Sequence, residues 1–158
     1  RAVMAQVGHS MIKAKIKETG AKLAGEMSGH IFFADRYFGF DDAMYATLRL
    51  LEILSQTDKP LSQLLADVPQ TFATPEIRKD CAEDVKFGVP TKVAAIFSPK
   101  YTVNTLDGVR VNFGDGWGLV RASNTQPVLV MRVEANTAAR RDELLAELES
   151  AVESALKA

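Results

Sequence analysis

Apolar positions recur at helical spacing through the first half of the chain and alternate with polar ones through much of the second. Met11, Ile12 and Ile16 stand against Lys13, Lys15 and Lys17. That stripe predicts a helix with Ser10 as its N-cap and Gly20 as its stop. Lys22 to Glu26 and Ile31 to Phe33 read as a short strand pair, and Asp35-Arg36-Tyr37 as a turn. A second helix opens at Asp41 and Asp42 and runs to about Gln56, with Met44, Leu48, Leu51 and Leu54 in register. Ala43, Ala46, Leu50 and Ile53 widen that stripe, and a face so broad predicts burial on more than one side. Lys59-Pro60 restarts a short helix through Leu61, Leu64, Leu65 and Val68. Pro69 and Pro75 then punctuate the chain, which places a domain boundary near residue 70.

Beyond the boundary a strand leads to Cys81 and a helix covers Val89 to Phe97. Alternating runs follow around Val103, from Val109 to Phe113, from Trp117 to Arg121 and from Val128 to Val133. Leu106-Asp107-Gly108 and Gly114-Asp115-Gly116 separate them, and Asp-Gly between alternating runs is a strong hairpin signal. Leu144, Leu145, Leu148, Val152 and Leu156 form the stripe of a last helix, capped by Asn136 or Thr137, which should cover one face of this meander. The expected fold class is α/β followed by α+β. Residues 1–69 read as the end of an α/β mixed-sheet domain, and residues 70–158 as a small antiparallel-sheet domain packed with helices.

Composition narrows the function classes. The 158 residues carry 19 basic and 20 acidic side chains, a net charge of −1. A balance so close to zero gives no reason to expect nucleic acid or an anionic membrane as partner. No apolar run approaches the roughly 18 residues of a membrane span. The one cysteine, Cys81, excludes an internal disulfide and fits a reducing, cytoplasmic setting. The chain begins at Arg1, so a leader peptide cannot be judged.

Two polar stretches interrupt the apolar pattern. Gly25-Glu26-Met27-Ser28-Gly29-His30 joins the first strand pair. In an extended segment alternate residues share a face, so Glu26, Ser28 and His30 would project together as acceptor, donor-acceptor and switchable groups. That set suits neighbouring sugar hydroxyls. A plain turn that satisfies its own backbone is the alternative. Arg121-Ala122-Ser123-Asn124-Thr125-Gln126-Pro127 lies between two strands. Its guanidinium matches phosphate oxygens in a bidentate way, and its N–H groups can form an anion nest. A polar hairpin loop with Ser123 and Asn124 bonded to their own backbone is the alternative here. His9, next to a helix start, reads as solvated by default. Neither metal-ligand spacing nor a catalytic triad is legible, and the Gly114–Gly118 stretch offers too few carboxylates for a metal.

Gly-Glu-Met-Ser-Gly-His, followed by Phe40-Asp41-Asp42, resembles the sugar-recognition loop of the α-D-phosphohexomutases, with Met27 closest to the bacterial phosphomannomutase/phosphoglucomutase branch. The Arg121–Pro127 loop resembles the family's C-terminal phosphate-binding loop, and both motifs stand in the family's order. The resemblance covers nearly the whole chain but only the last third or so of such an enzyme. It implies that residues 1–69 are the C-terminal part of the sugar-binding third domain and residues 70–158 the phosphate-binding fourth. The implied reaction moves a phosphoryl group between the 1- and 6-positions of a hexose phosphate, through an enzyme phosphoserine and a hexose 1,6-bisphosphate. Glu26, Ser28 and His30 would then read sugar hydroxyls, and Arg121, Ser123, Asn124 and Thr125 would hold phosphate. His9, in a matching Gly-His-Ser context, would carry the catalytic role. The family's phosphoserine loop and its magnesium loop, both on N-terminal domains, do not occur in these residues. Mg2+ is therefore expected outside them, and the 158 residues alone are expected to lack turnover. A phosphoglucosamine mutase and a non-catalytic sugar-phosphate-binding module remain as alternatives.

Overall fold

Residues 1–157 are described in a computed structural model. They form two compact units, one of Arg1–Val68 and one from Pro69 to the end of the described residues.

The first unit carries helix α1 (His9–Thr19), strands β1 (Leu23–Gly25) and β2 (Ile31–Phe33), and helix α2 (Ala43–Ser55). β1 and β2 are antiparallel, with Ala24 opposite Phe32. The first helix starts two residues earlier than Ser10 as N-cap predicts. Gly8 occupies the N-cap, its carbonyl takes the Ile12 N–H at 3.0 Å, and Ser10 lies inside the helix. Gly20 closes it in the left-handed conformation, as expected. Asp42 caps α2 by accepting the Tyr45 N–H at 2.9 Å.

Two expectations fail in this unit. The Pro60 segment makes only a 3-10 turn, Leu61–Gln63, with Pro60 at its N-cap. The broad stripe of α2 is not buried on several sides: Met44, Leu48, Leu51 and Ile53 are all more than half exposed. A two-stranded sheet has too little area to cover a stripe of that width. What holds α2 is its polar flank. Arg49 lies over the Phe33 ring at 4.4 Å and pairs with Asp35 at 2.9 Å, while Arg36 grips Glu52.

That flank predicts an acid limb. The hydrogen bond from Arg49 holds the Asp35 carboxyl down to about 2. Its unfolded value is about 3.9, so the pair's contribution is intact above about pH 4 and is lost as pH falls from there toward 2. Asp42 and Glu52 are shifted the same way, chiefly by Tyr37 and Arg36. Near-UV circular dichroism of the stacked Tyr37–Tyr45 pair, whose rings lie 3.9 Å apart, should hold from neutral pH to about 4 and decay below it. Loss of that signal between pH 7 and 5 would contradict the assignment.

The second unit comprises strands β3 (Phe72–Ala73) and β4 (Ile77–Asp80), helix α3 (Val89–Phe97), strands β5 (Thr102–Asn104), β6 (Val109–Asn112), β7 (Gly116–Ala122) and β8 (Val128–Ala135), and helix α4 (Ala138–Lys157). The sheet runs β3-β8-β7-β6-β5, with β4 also paired to β8. β3 and β4 share one edge of β8, against Glu134–Ala135 and Val128–Met131 respectively. The sequence pattern does not reveal β3. The antiparallel meander, α3 and α4 otherwise follow the expectation, and Thr137 caps α4 by accepting the Arg140 N–H at 3.1 Å.

The two helices bury Val89, Val93, Phe97, Leu144, Leu148 and Val152 against Val109, Val120, Leu129, Met131 and Val133. Their approach to β7 is close. A Cβ on Gly118 would lie 3.1 Å from Leu148 Cδ2, and one on Gly116 would lie 2.7 Å from Leu144 Cδ1. Those two glycines give α4 its seat. Mixed α/β architecture with antiparallel sheets and packed helices therefore describes the whole chain.

Candidate functional site

In the first unit, Glu26 and His30 flank a tight turn instead of alternating along an extended strand. The Gly29 N–H donates to Glu26 O at 3.0 Å, and the Glu26 N–H donates to His30 O at 2.9 Å. This corrects the one-face reading of Glu26, Ser28 and His30. The hairpin brings Glu26 and His30 together at its mouth, whereas Ser28 and Met27 stand exposed at its tip.

Glu26 is held firmly. One carboxylate oxygen accepts the Gly8 N–H at 3.0 Å, and the other lies 3.9 Å from His9 Nε2. Its side chain is only 11% exposed, against 49% for His9. The His9 ring meets His30 edge-on at 4.6 Å and rests on Phe32 at 5.3 Å. Phe32 is fully buried, so it forms the floor of this cluster.

Asp41 completes the arrangement. Oδ1 accepts the Ile31 N–H at 3.1 Å, and Oδ2 lies 2.7 Å from His30 Nδ1. The His30 hydrogen bond, followed by that of Ile31, keeps the Asp41 carboxyl below its ordinary value. An ionised carboxylate can only accept, so His30 donates to it from Nδ1. By sequence Asp41 reads as a helix-opening charge. Its true partner comes from the strand beside it, through the isolated Phe32–Asp41 bridge.

In the second unit, β7 delivers Arg121 and Ala122 to the loop 123–127. Ser123 is buried, and its Oγ accepts the N–H groups of Thr125 at 3.3 Å and Gln126 at 3.2 Å. The hydroxyl shapes the loop, as the polar-hairpin alternative anticipated. Asn124 and Thr125 are exposed. Arg121 Nη1 has Asp107 Oδ2 at 4.0 Å, a loose pair that an anion can replace. Phe87, Thr91, Thr105, Arg121 and Asn124 line a cleft of about 400 Å³.

Two residues that position this loop escape the sequence reading. Lys86 is completely buried, and its Nζ donates to Gln126 O at 2.9 Å while pairing with Glu83 at 2.7 Å. A lone lysine between Val85 and Phe87 carries no sequence signal of that role. Gly108 has φ +71, and a Cβ there would lie 2.8 Å from the Arg121 Cα. The β5–β6 turn thus presses on the Arg121 backbone and needs glycine for both conformation and space.

Comparison with known proteins identifies the architecture. Residues 1–72 match the family model described as phosphoglucomutase/phosphomannomutase, alpha/beta/alpha domain III, and residues 66–151 match that of the C-terminal domain. The chain belongs to the phosphoglucomutase/phosphomannomutase family. It is 49% identical over 159 residues to a phosphomannomutase/phosphoglucomutase of Pseudomonas aeruginosa PAO1, covering 100% of this chain and 34% of that protein. A phosphoglucomutase of Neisseria meningitidis serogroup A is 48% identical over 97% of this chain and 34% of its own length. The crystal structure of a phosphoglucomutase/phosphomannomutase family protein from Burkholderia thailandensis superposes with a TM-score of 0.84 at 43% identity, over 97% of this chain and 32% of that one. The chain spans about a third of the length of the curated relatives it matches. Among the described residues no helix is long and apolar enough to cross a membrane.

Proposed function

We propose that this chain supplies substrate recognition in a phosphohexomutase that moves a phosphoryl group between the 1- and 6-positions of a hexose phosphate. The observation that carries the reading is the state of Glu26. One of its oxygens is pinned by a backbone N–H and the other is left beside two imidazoles. A fixed acceptor flanked by groups able to donate or accept fits vicinal sugar hydroxyls.

In this reading residues 1–69 are part of a sugar-binding third domain, where Glu26, Ser28 and His30 read hydroxyls. Residues 70–158 are the phosphate-binding domain, where Arg121, Asn124 and Thr125 contact phosphate and Ser123 shapes their loop. His9 is the catalytic residue: its Nε2 takes the proton from a sugar hydroxyl as that oxygen attacks phosphorus. Positioning and charge stabilisation dominate such transfers, so a rigid hydroxyl reader contributes directly to rate. The phosphoryl donor is an enzyme phosphoserine on partner domains, and the hexose 1,6-bisphosphate is the intermediate that turns between the two half-reactions.

Mg2+ would neutralise charge on the transferring group. Among the described residues the convergent ligand group is His9, Glu26 and His30, and two imidazoles do not suit a hard, oxygen-preferring ion. We therefore assign Mg2+ to the partner domains. A cytoplasmic setting fits a phosphorylated substrate and the free, buried Cys81.

Titration of the full chain with glucose 1-phosphate and with inorganic phosphate tests the reading. Changing Glu26→Gln exchanges a charge-assisted hydrogen bond for a neutral one, so sugar-phosphate affinity should fall about tenfold or more. Inorganic phosphate should bind as before. Equal weakening of both ligands, or of neither, would sink the assignment of Glu26 to a hydroxyl.

A further inference from the structure

His9, Glu26 and His30 have a second chemical competence beyond reading hydroxyls. One potential ligand atom from each lies within 4.8 Å of the others. Ligand atoms on a tetrahedral zinc ion stand about 3.3 Å apart, given bonds of 2.0–2.1 Å. The widest pair therefore has about 1.5 Å to close, which is within reach of the half-exposed His9 and His30 side chains.

The surroundings match a metal centre in two further respects. Asp41 accepts from His30 Nδ1 at 2.7 Å, the carboxylate–histidine pairing that stands behind metal-bound imidazoles and fixes their tautomer. Glu26 is oriented through one oxygen by Gly8, and its other oxygen faces His9 Nε2. Two imidazoles and one carboxylate leave a fourth position open on a tetrahedral ion.

We infer that His9, Glu26 and His30 form a binding site for a borderline divalent transition ion, Zn2+ foremost, held in place by Asp41. This ligand set is distinct in chemistry from a magnesium site, because imidazole favours zinc, nickel and copper over hard alkaline-earth ions. It does not depend on the sugar reading.

The probe is Zn2+ alone, added to the full chain at neutral pH against a chromophoric chelator. The chain holds two histidines, so its imidazole ring signals in a nuclear magnetic resonance spectrum belong to this cluster without ambiguity. Both ring signals should shift together at one equivalent of Zn2+, and excess Mg2+ should not reverse the shift. His9→Ala and His30→Ala should each weaken zinc by more than tenfold. Asp41→Asn, which removes no ligand, should weaken it by about 10–100-fold. Cys81→Ser should bind as the unaltered chain does, because the thiol takes no part. His9 is half exposed, so its removal leaves the α1 cap and the hairpin hydrogen bonds in place and folding does not confuse the result. Unshifted histidine signals, reversal by Mg2+, or full affinity in His9→Ala and His30→Ala would overturn the site. Failure of the sugar-phosphate titration leaves this result untouched, since no sugar enters it.

Discussion

Leu148→Ala is expected to cost the second unit about 2–5 kcal/mol, the usual range for emptying a fully buried leucine position. Leu148 has no exposed surface and seats α4 on Gly118. Neighbouring core positions Leu144, Val120 and Val133 are equally buried, so collapse into the vacated space is limited. For a unit of this size the loss corresponds to a fall in melting temperature on the order of 10–30 °C. Trp117 is the one tryptophan of the chain and lies on β7 beside Gly118. Its fluorescence therefore reports melting of this unit. A shift below about 3 °C would show that α4 is not the keystone of the core.

Arg121→Lys is expected to weaken inorganic phosphate binding by about 10- to 150-fold, equivalent to roughly 1.5–3 kcal/mol. The substitution keeps the charge and removes the planar fork that addresses two oxygens at once. Arg121 Nη1 stands 4.0 Å from Asp107 Oδ2, a loose pair that an incoming anion can displace. Its backbone stays in register because β7 pairs Arg121 with Val130, and the lysine variant keeps that pairing. Calorimetric titration of both forms with phosphate gives the comparison, with Trp117 fluorescence as the check on folding. Unchanged affinity would remove Arg121 from phosphate recognition and with it the role proposed for the loop.

The meander was readable because its determinants are local. Alternation places Val109 and Val111 on one face of β6, and the Asp107-Gly108 turn meets a φ of +71 that glycine accepts readily. The α3 and α4 stripes were equally legible, since residues three and four apart share a helix face whatever surrounds them. The same logic misplaced the α2 stripe. Its periodicity says which residues form a face but not whether anything covers it, and in this unit little does.

Candidate chemistry divides along the same line. The residue types of the Glu26–His30 and Arg121–Thr125 stretches stood out as polar interruptions, and the two motifs carried the family resemblance. Their roles depend on partners far away along the chain. His9 reaches Glu26 only because α1 begins where its Gly8 N–H can hold the carboxylate. Asp41 becomes the brace of His30 through a bridge to Phe32, and Lys86 becomes a tether through the carbonyl of Gln126. Ser123, a candidate phosphate ligand by type, spends its oxygen on two backbone N–H groups. Local sterics and periodicity are properties of neighbouring residues, so the sequence by itself determined strands, helices and turns. Which carboxylate meets which imidazole is settled by packing between distant segments, so only the tertiary structure decided how the site is assembled.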